Sequence, residues 1–286
     1  MVYCQPGLFL RHDPDAETLP VIVDVSRSGR EYPNDMRSPV AFSALHDNVS
    51  MWLDDLYDSA PQHGATLLFC SIAHMYIDMN RAETDFDPAV LDGEWPVPLK
   101  PSPRSLRGLG LIKTKSRYGE AVQERKFTVA EIEERLARYH RPYHREFSRI
   151  VDSFHSRFGL SRDLSCHCMS PVGAPTHADP GSRRPDFCIG DLNGQSATPQ
   201  FVELVVETLR GYGYKVTVND PYIGNEIHRR YGDPAKGKES ILLEMNKDIY
   251  MDIDTFKQTA GYAKVKADLS RLLAVVADDT RQRVNR

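Results

Sequence analysis

The sequence lacks the features that mark several large classes of protein. It contains 5 cysteines in 286 residues, an odd number without the spacing of a disulfide framework, which fits a reducing compartment. No apolar run approaches the length of a bilayer span, and the first twenty residues lack a basic segment followed by an apolar one. These absences predict a cytoplasmic protein that does not bind a membrane.

Charge and composition exclude further classes. The chain has 36 Lys and Arg residues against 40 Asp and Glu residues, a formal net charge of -4 and a pI near 6.2. A protein without a basic excess is not expected to bind nucleic acid. With 41% apolar and 27% charged residues, the composition is that of an ordinary globular protein. We therefore expect a small molecule or another protein as the partner.

Patterns typical of strands and helices alternate along the chain. Residues 19–25 (LPVIVDV) predict a buried strand, residues 48–60 show helical spacing, and Thr128 with Glu131 forms a capping box at the start of a long helix. This alternation predicts an α/β fold, a single mixed, mostly parallel sheet flanked by helices on both faces, in one domain covering residues 1–286. Residues 85–109, with five prolines, and residues 219–238 are predicted to be loops at one rim of the sheet.

Glu244 stands out because it interrupts the apolar strand predicted at residues 240–245 (SILLEM). A carboxylate in such a run is costly unless it is paired, hydrogen-bonded or bound to a metal-held water. The sequence leaves two interpretations open, a salt-bridged structural residue or a functional carboxylate.

Three histidines invite a metal-binding interpretation. His140 and His144 lie one helical turn apart, the spacing of a zinc pair, but no third ligand accompanies them, so packing or capping is the preferred interpretation. His167 lies near the end of a predicted strand, where both a buried structural imidazole and a ligand are consistent with the pattern.

Blocks along most of the chain resemble the N-formylglutamate amidohydrolase family, whose fold is similar to that of zinc carboxypeptidases and aspartoacylases. The resemblance extends from residue 21 to about residue 252. It is carried by residues 28–29 (SG) with 32–33 (YP), 64–68 (GATLL), 76–81 (YIDMNR), 141–144 (RPYH), 166–169 (CHCM), 186–191 (DFCIGD), 219–222 (NDPY), 243–246 (LEMN) and 250–252 (YMD).

The resemblance implies a zinc hydrolase that removes the acyl group from a small, anionic N-acyl amino acid such as N-formyl-L-glutamate. Such chemistry uses a metal held by two His and one carboxylate, a Glu that carries the proton, and an Arg that holds the substrate carboxylate. On this basis His167 is the expected metal ligand and Glu244 the expected proton carrier. Residues expected to bind the substrate are Arg81, Asn80, Arg27, Asn219, Tyr222 and Arg184.

The chain departs from the family pattern at two expected ligands. Arg27 stands where the family has the first His, and a guanidinium cannot coordinate zinc. Val49 and Ser50 stand where the family has a Glu-Asp pair, which removes the carboxylate ligand. We therefore expect the family's zinc either to be lost or to be held by other donors, such as His46, Asp47 or the thiols of Cys166, Cys168 and Cys188.

These departures leave alternatives open. Arg27 could pair with Glu244 and quench it, or it could bind an anion, in which case the chain would be an inactive family member that binds a small anion or a partner protein in the old pocket. Cysteine chemistry through Cys168 is disfavoured, because His167 and Cys168 are adjacent on a strand and point to opposite faces.

Overall fold

The structure of the protein is a computed structural model that describes residues 1–15 and 17–285. These described residues form ten strands and seven α-helices. The strands are β1 Val2–Gln5, β2 Phe9–His12, β3 Val21–Val25, β4 Thr66–Cys70, β5 Leu91–Asp92, β6 Phe127–Thr128, β7 Ser161–Met169, β8 Phe187–Gly190, β9 Val216–Val218 and β10 Lys238–Asn246. The helices are α1 Phe42–His46, α2 Leu53–Leu56, α3 Val129–Arg135, α4 Arg141–Phe158, α5 Pro199–Gly211, α6 Glu226–Tyr231 and α7 Tyr262–Val284.

Eight strands form one sheet in the order β1-β2-β4-β3-β7-β10-β8-β9. The pairings β3 with β4, β3 with β7, β7 with β10 and β8 with β9 are parallel, whereas the other three are antiparallel. The predicted mixed, mostly parallel sheet is confirmed. Strands β5 and β6 form a separate parallel pair.

Helices cover both faces of the sheet, as predicted. On one face, Cys166 of β7 and Leu243 of β10 pack in an apolar cluster with residues of α2, α5 and α7. On the other face, the core is built mainly from α4, with Tyr143 and Phe147 fully buried. Because successive strand residues point to opposite faces, His167 and Glu244 lie on the α4 face, paired in register across β7 and β10. The α4 face of the sheet therefore carries two polar groups, His167 and Glu244, side by side.

Two local predictions were wrong. Residues 48–60 contain one short helix, α2, because Trp52 adopts a left-handed backbone conformation (φ 68°) that ends any helix running into Leu53. Residues 219–238 contain α6, whose Ile227 and Tyr231 are buried against α4 residues. No helix among residues 1–15 and 17–285 is both long and apolar enough to cross a membrane.

The carboxyl ends of the parallel strands β3, β4, β7 and β10 meet at the same edge of the sheet. Arg27 follows β3, and Asp78 lies in the segment after β4. His167 and Glu244 lie two residues before the ends of β7 and β10. In open α/β sheets this edge is where ligands bind. The fold thus brings residues separated by more than 200 positions to one place.

Candidate active site

A cavity of about 260 Å³ opens at this edge. Its volume is below the lower end of pockets for drug-sized ligands, roughly 300 Å³, so it suits a small molecule. Six of the residues proposed from the sequence line it: Glu244, Arg27, Asn80, Arg81, Arg184 and Tyr222. Its wall is strongly cationic, with six Arg and Lys side chains: Arg27, Arg81, Arg104, Arg117, Arg184 and Lys247.

Arg27 is held in place by Asp78. Its Nε and Nη2 donate to the two carboxylate oxygens of Asp78 at 3.0 and 2.7 Å, a bidentate pair. The loop that carries Arg27 is also fixed by Gly29, where a Cβ atom would lie 2.2 Å from the carbonyl oxygen of Ile72. Arg27 therefore pairs with Asp78 and not with Glu244, so the quenching contact, one of the two alternatives left open by the sequence, is not formed.

Asp78 is fully buried and is surrounded by cations. In addition to Arg27, the Lys113 ammonium donates to Asp78 at 2.6 Å and Arg81 Nε lies 3.8 Å away. Burial opposes ionisation, but Arg27 and Lys113 hold the pKa of Asp78 well below its usual range. Lys113 also donates to the Gly110 carbonyl at 3.0 Å. The carboxylate is thus fully engaged inside the protein.

Glu244 is in the opposite situation. Its side chain is 7% exposed, its Oε2 is buried without a hydrogen-bond partner, and no cation lies within 4.0 Å among the described residues. Burial raises the pKa of Glu244, although Arg27 and Arg104 act against this shift. None of the pairings expected for a structural carboxylate is present in the described part of the chain, which favours the functional interpretation of Glu244.

His167 lies behind Asn80 and is oriented by a chain of polar groups. Its Nε2 lies 3.1 Å from the Ser165 hydroxyl, which donates to Asp24 at 2.8 Å. Nε2 also lies 3.4 Å from the Asn80 amide nitrogen. Nδ1 is buried and has no partner in residues 1–15 and 17–285. A ring nitrogen without a partner is what the predicted metal-ligand role of His167 requires, and that role stays a prediction.

The remaining ligand positions do not fit a metal ion. The Ser50 N–H donates to the Arg27 carbonyl at 3.0 Å and its hydroxyl accepts from Cys168 N at 3.3 Å, so Arg27 and Ser50 both lie beside the end of β7. Neither side chain replaces the ligand that the family has there. In the described residues, no three His, Cys, Asp or Glu side chains are grouped so that they could hold a metal. The donor set therefore does not match the zinc site that the resemblance implies.

The proposed substitute donors are engaged elsewhere. His46 stacks on Phe42 with ring centres 4.9 Å apart. Asp47 lines the cavity but forms ion pairs with Arg117 and, at 3.8 Å, with Lys247. For the thiols, Cys166 faces the apolar core, Cys188 donates to the Tyr222 carbonyl, and Cys168 lines the cavity without a second soft donor beside it in the described residues.

The backbone around Asn80 and Arg81 is positioned by two histidines, His140 immediately before α4 and His144 within α4. His140 Nε2 donates to the Arg81 carbonyl at 2.8 Å, and His144 Nε2 donates to the Met79 carbonyl at 2.9 Å. These contacts fit the packing role preferred from the sequence. The Arg81 side chain, 3% exposed, donates to Asp85 at 3.1 Å, so its charge is already balanced within the protein.

A second group of predicted residues lies on the opposite wall. Arg184 is bound to Asp179 through Nε and Nη2 at 2.9 and 2.7 Å, donates to His177 Nδ1 at 2.8 Å, and lies over the Tyr222 ring. Burial and the charge of Arg104 lower the pKa of His177 to about 3, so this imidazole is neutral. Asn219 is different, because its amide is bound to Asp191 and it does not line the cavity.

Sequence reasoning missed Asp78, Lys113, Arg104, Arg117 and Lys247. Asp78 could have been found, because it lies within the matched YIDMNR block. Arg104 and Lys113 lie in irregular chain, where no periodic pattern indicates which side chains turn inward. Their contribution becomes visible only when the loop has been placed against the sheet.

Comparison with known proteins places the chain in a family. The sequence model of N-formylglutamate amidohydrolase matches residues 19–251. A solved N-formylglutamate amidohydrolase from Ralstonia eutropha JMP134 is 34% identical and superposes with a TM-score of 0.90, covering 96% of this chain and 99% of that one. An N-formylglutamate deformylase of Pseudomonas putida is 27% identical over 242 residues, 82% of each chain.

A solved protein of Agrobacterium tumefaciens shares the fold alone, with 15% identity, a TM-score of 0.66 and coverage of 96% of each chain. The family match covers most of the chain, and the Ralstonia structure agrees with it in both sequence and fold. The chain therefore belongs to the N-formylglutamate amidohydrolase family.

Proposed function

We propose that the protein hydrolyses the amide bond of a small N-acyl amino acid, with N-formyl-L-glutamate as the first substrate to test. The observation that carries the proposal is Glu244, a buried carboxylate that has no partner among the described residues and lies in a cavity lined by six cationic side chains. The names of the Ralstonia and Pseudomonas relatives support this choice of substrate.

Glu244 acts as the general base in the proposed reaction. It accepts a proton from a water molecule, whose oxygen forms a bond to the formyl carbon while the carbonyl electron pair moves onto oxygen. The carbon–nitrogen bond then breaks, and Glu244 returns the proton to the leaving nitrogen, giving formate and glutamate. A raised pKa suits this role, since a base works best when its pKa approaches the operating pH.

Arg27 stabilises the developing oxyanion. Its Nε and Nη2 are bound to Asp78, but Nη1 makes no hydrogen bond to any of the described residues, and the side chain lines the cavity. A fixed donor of this kind is worth about 10²- to 10³-fold in rate. Because Asp78 already orients the guanidinium, little reorganisation is needed when charge develops.

The direct test is formate release from N-formyl-L-glutamate by the purified protein and by the Glu244→Gln variant, which keeps the shape but cannot accept a proton. We expect turnover by the protein and a loss of about 10²- to 10⁴-fold in the variant. Equal rates for the two proteins would refute the role of Glu244.

A second candidate function is binding without hydrolysis. It is favoured by the Arg27–Asp78 pair, because that pair places a fixed cation where the family expects a metal ligand. Calorimetric titration with N-formyl-L-glutamate distinguishes the two functions. Tight binding without formate release would establish this second candidate in place of hydrolysis.

A further inference from the structure

The charges around the cavity are balanced by protein carboxylates at every cation except one. Five of the six lining cations have a carboxylate within 4.0 Å; the pairs are Arg27–Asp78, Arg81–Asp85, Arg117–Asp47, Arg184–Asp179 and Lys247–Asp47. For Arg104, by contrast, no carboxylate oxygen of the described residues lies within this distance. Its Nε is also buried without a hydrogen-bond partner.

We propose that Arg104 binds a carboxylate of the substrate and thereby sets the specificity of the cavity for acidic acyl amino acids. This inference rests on the proposed function and adds a binding residue that the sequence motifs do not include. An unpaired guanidinium facing a partly buried cavity attracts an anion strongly, because a charge that is partly removed from water gains most from a partner. The family resemblance pointed instead to Arg81, whose charge is taken by Asp85.

The local structure holds Arg104 ready for this role. Its carbonyl accepts hydrogen bonds from Arg107 N at 3.1 Å and Leu109 N at 2.9 Å, which fixes the backbone of the proline-rich loop (residues 85–109) at this point. Asp85, at the start of the same loop, accepts from Ser102 N at 2.7 Å and so joins the two ends of the loop. The loop therefore presents a guanidinium whose backbone is already ordered before the ligand arrives.

Tyr222 gives the guanidinium a flat surface to lie on. The Arg104 Cζ is 5.6 Å from the ring centre of Tyr222, and the Arg184 Cζ is 5.1 Å from the same ring. Stacking on an aromatic ring leaves the edge of a guanidinium free for a bidentate contact with a planar carboxylate. Arg104 also acts electrostatically on Glu244, so the anchor and the base belong to one cavity.

The test combines changes in the protein with changes in the ligand. Three compounds are titrated calorimetrically: N-formyl-L-glutamate, its side-chain amide N-formyl-L-glutamine, and its α-carboxamide. They are titrated into protein carrying Glu244→Gln, which prevents turnover, with and without Arg104→Ala. Arg107→Ala is the matched control, since Arg107 lies on the same loop but donates to the Thr176 carbonyl and does not line the cavity.

We expect Arg104→Ala to weaken binding of N-formyl-L-glutamate about 10- to 100-fold, the value of a charged hydrogen bond. One of the two amides, the one lacking the carboxylate that Arg104 binds, should lose this sensitivity. Arg104→Lys should recover part of the affinity. The proposal is overturned if both amides stay fully sensitive, if Arg107→Ala has the same effect, or if none of the compounds responds to Arg104.

Binding and turnover separate this proposal from the proposed function. Binding that depends on Arg104, without formate release, would refute the proposed hydrolysis but support carboxylate binding by Arg104. Formate release with a KM that Arg104→Ala does not change would refute carboxylate binding by Arg104 but support the proposed hydrolysis.

Discussion

Two buried carboxylates, Glu244 in the lining of the cavity and Asp78 behind Arg27, have opposite surroundings. Asp78, with Arg27 and Lys113, forms a floor in which each charge already has a partner. Glu244 and Arg104 belong to a wall in which neither charge has a partner within 4.0 Å among the described residues. Groups that satisfy one another stabilise the fold, whereas groups left without partners are available to a ligand. The difference separates a carboxylate that holds Arg27 in place, Asp78, from a carboxylate that is available to a ligand, Glu244.

Among the variants that test this comparison, we expect the largest effect on stability from removing the Asp78 carboxylate of the floor. Asp78→Asn would leave Arg27 and Lys113 without the carboxylate that pairs with both of them, whereas Arg81 would keep Asp85. We expect a loss of about 3–5 kcal/mol in the free energy of unfolding, measured by urea denaturation.

Glu244→Gln is the matched control for Asp78→Asn, because it neutralises a carboxylate that has no partner to lose. We expect its free energy of unfolding to be unchanged or higher, since an uncompensated buried charge is removed. If the two variants lost equal stability, the distinction between floor and wall would be wrong.

A second variant tests whether a zinc site can be built beside the floor by adding side chains that bind metal. Combining Arg27→His with Ser50→Asp places an imidazole and a carboxylate at the two positions where the family pattern has ligands, near the unpartnered Nδ1 of His167. Zinc at about 100 times its dissociation constant should then stabilise the protein by about 2.7 kcal/mol. Thermal unfolding with and without zinc measures this gain.

Arg27→His alone is the control for the double variant, because it supplies only one new donor. If the double variant gained no more from zinc than this single variant, the assignment of position 50 as the missing carboxylate would be contradicted.

The smallest expected effect is the contribution of His177, which also lines the cavity, to the pH dependence of the free energy of unfolding. His177, with a folded pKa of about 3, stays neutral while the unfolded chain takes up a proton as the pH falls through about 6.5. Its stabilising contribution is therefore present above pH 6.5 and is lost as the pH falls. Between about pH 7.5 and about pH 5 the protein should lose about 2 kcal/mol more than His177→Gln. Equal slopes of unfolding free energy for the two proteins would show that His177 is not held neutral.

Much of the fold and part of the site follow from the sequence. Apolar runs such as SILLEM predict their strands, the Thr128 capping box predicts the start of α3, and family motifs identify Glu244, Arg27 and His167. The partner of Arg27 was missed because Asp78 is 51 residues away and only the sheet edge brings the two together. Arg104 was missed because the conformation of an irregular loop depends on tertiary contacts, here those of Asp85, rather than on any periodic pattern.

The central claim is that Glu244 and Arg27 perform amide hydrolysis in a cavity whose donors do not suit a metal. The most direct measurement is the rate of formate release from N-formyl-L-glutamate before and after exhaustive chelation, with the metal content followed by elemental analysis. The account predicts the same rate at both stages. Loss of turnover on chelation, with recovery when zinc is returned, would contradict it.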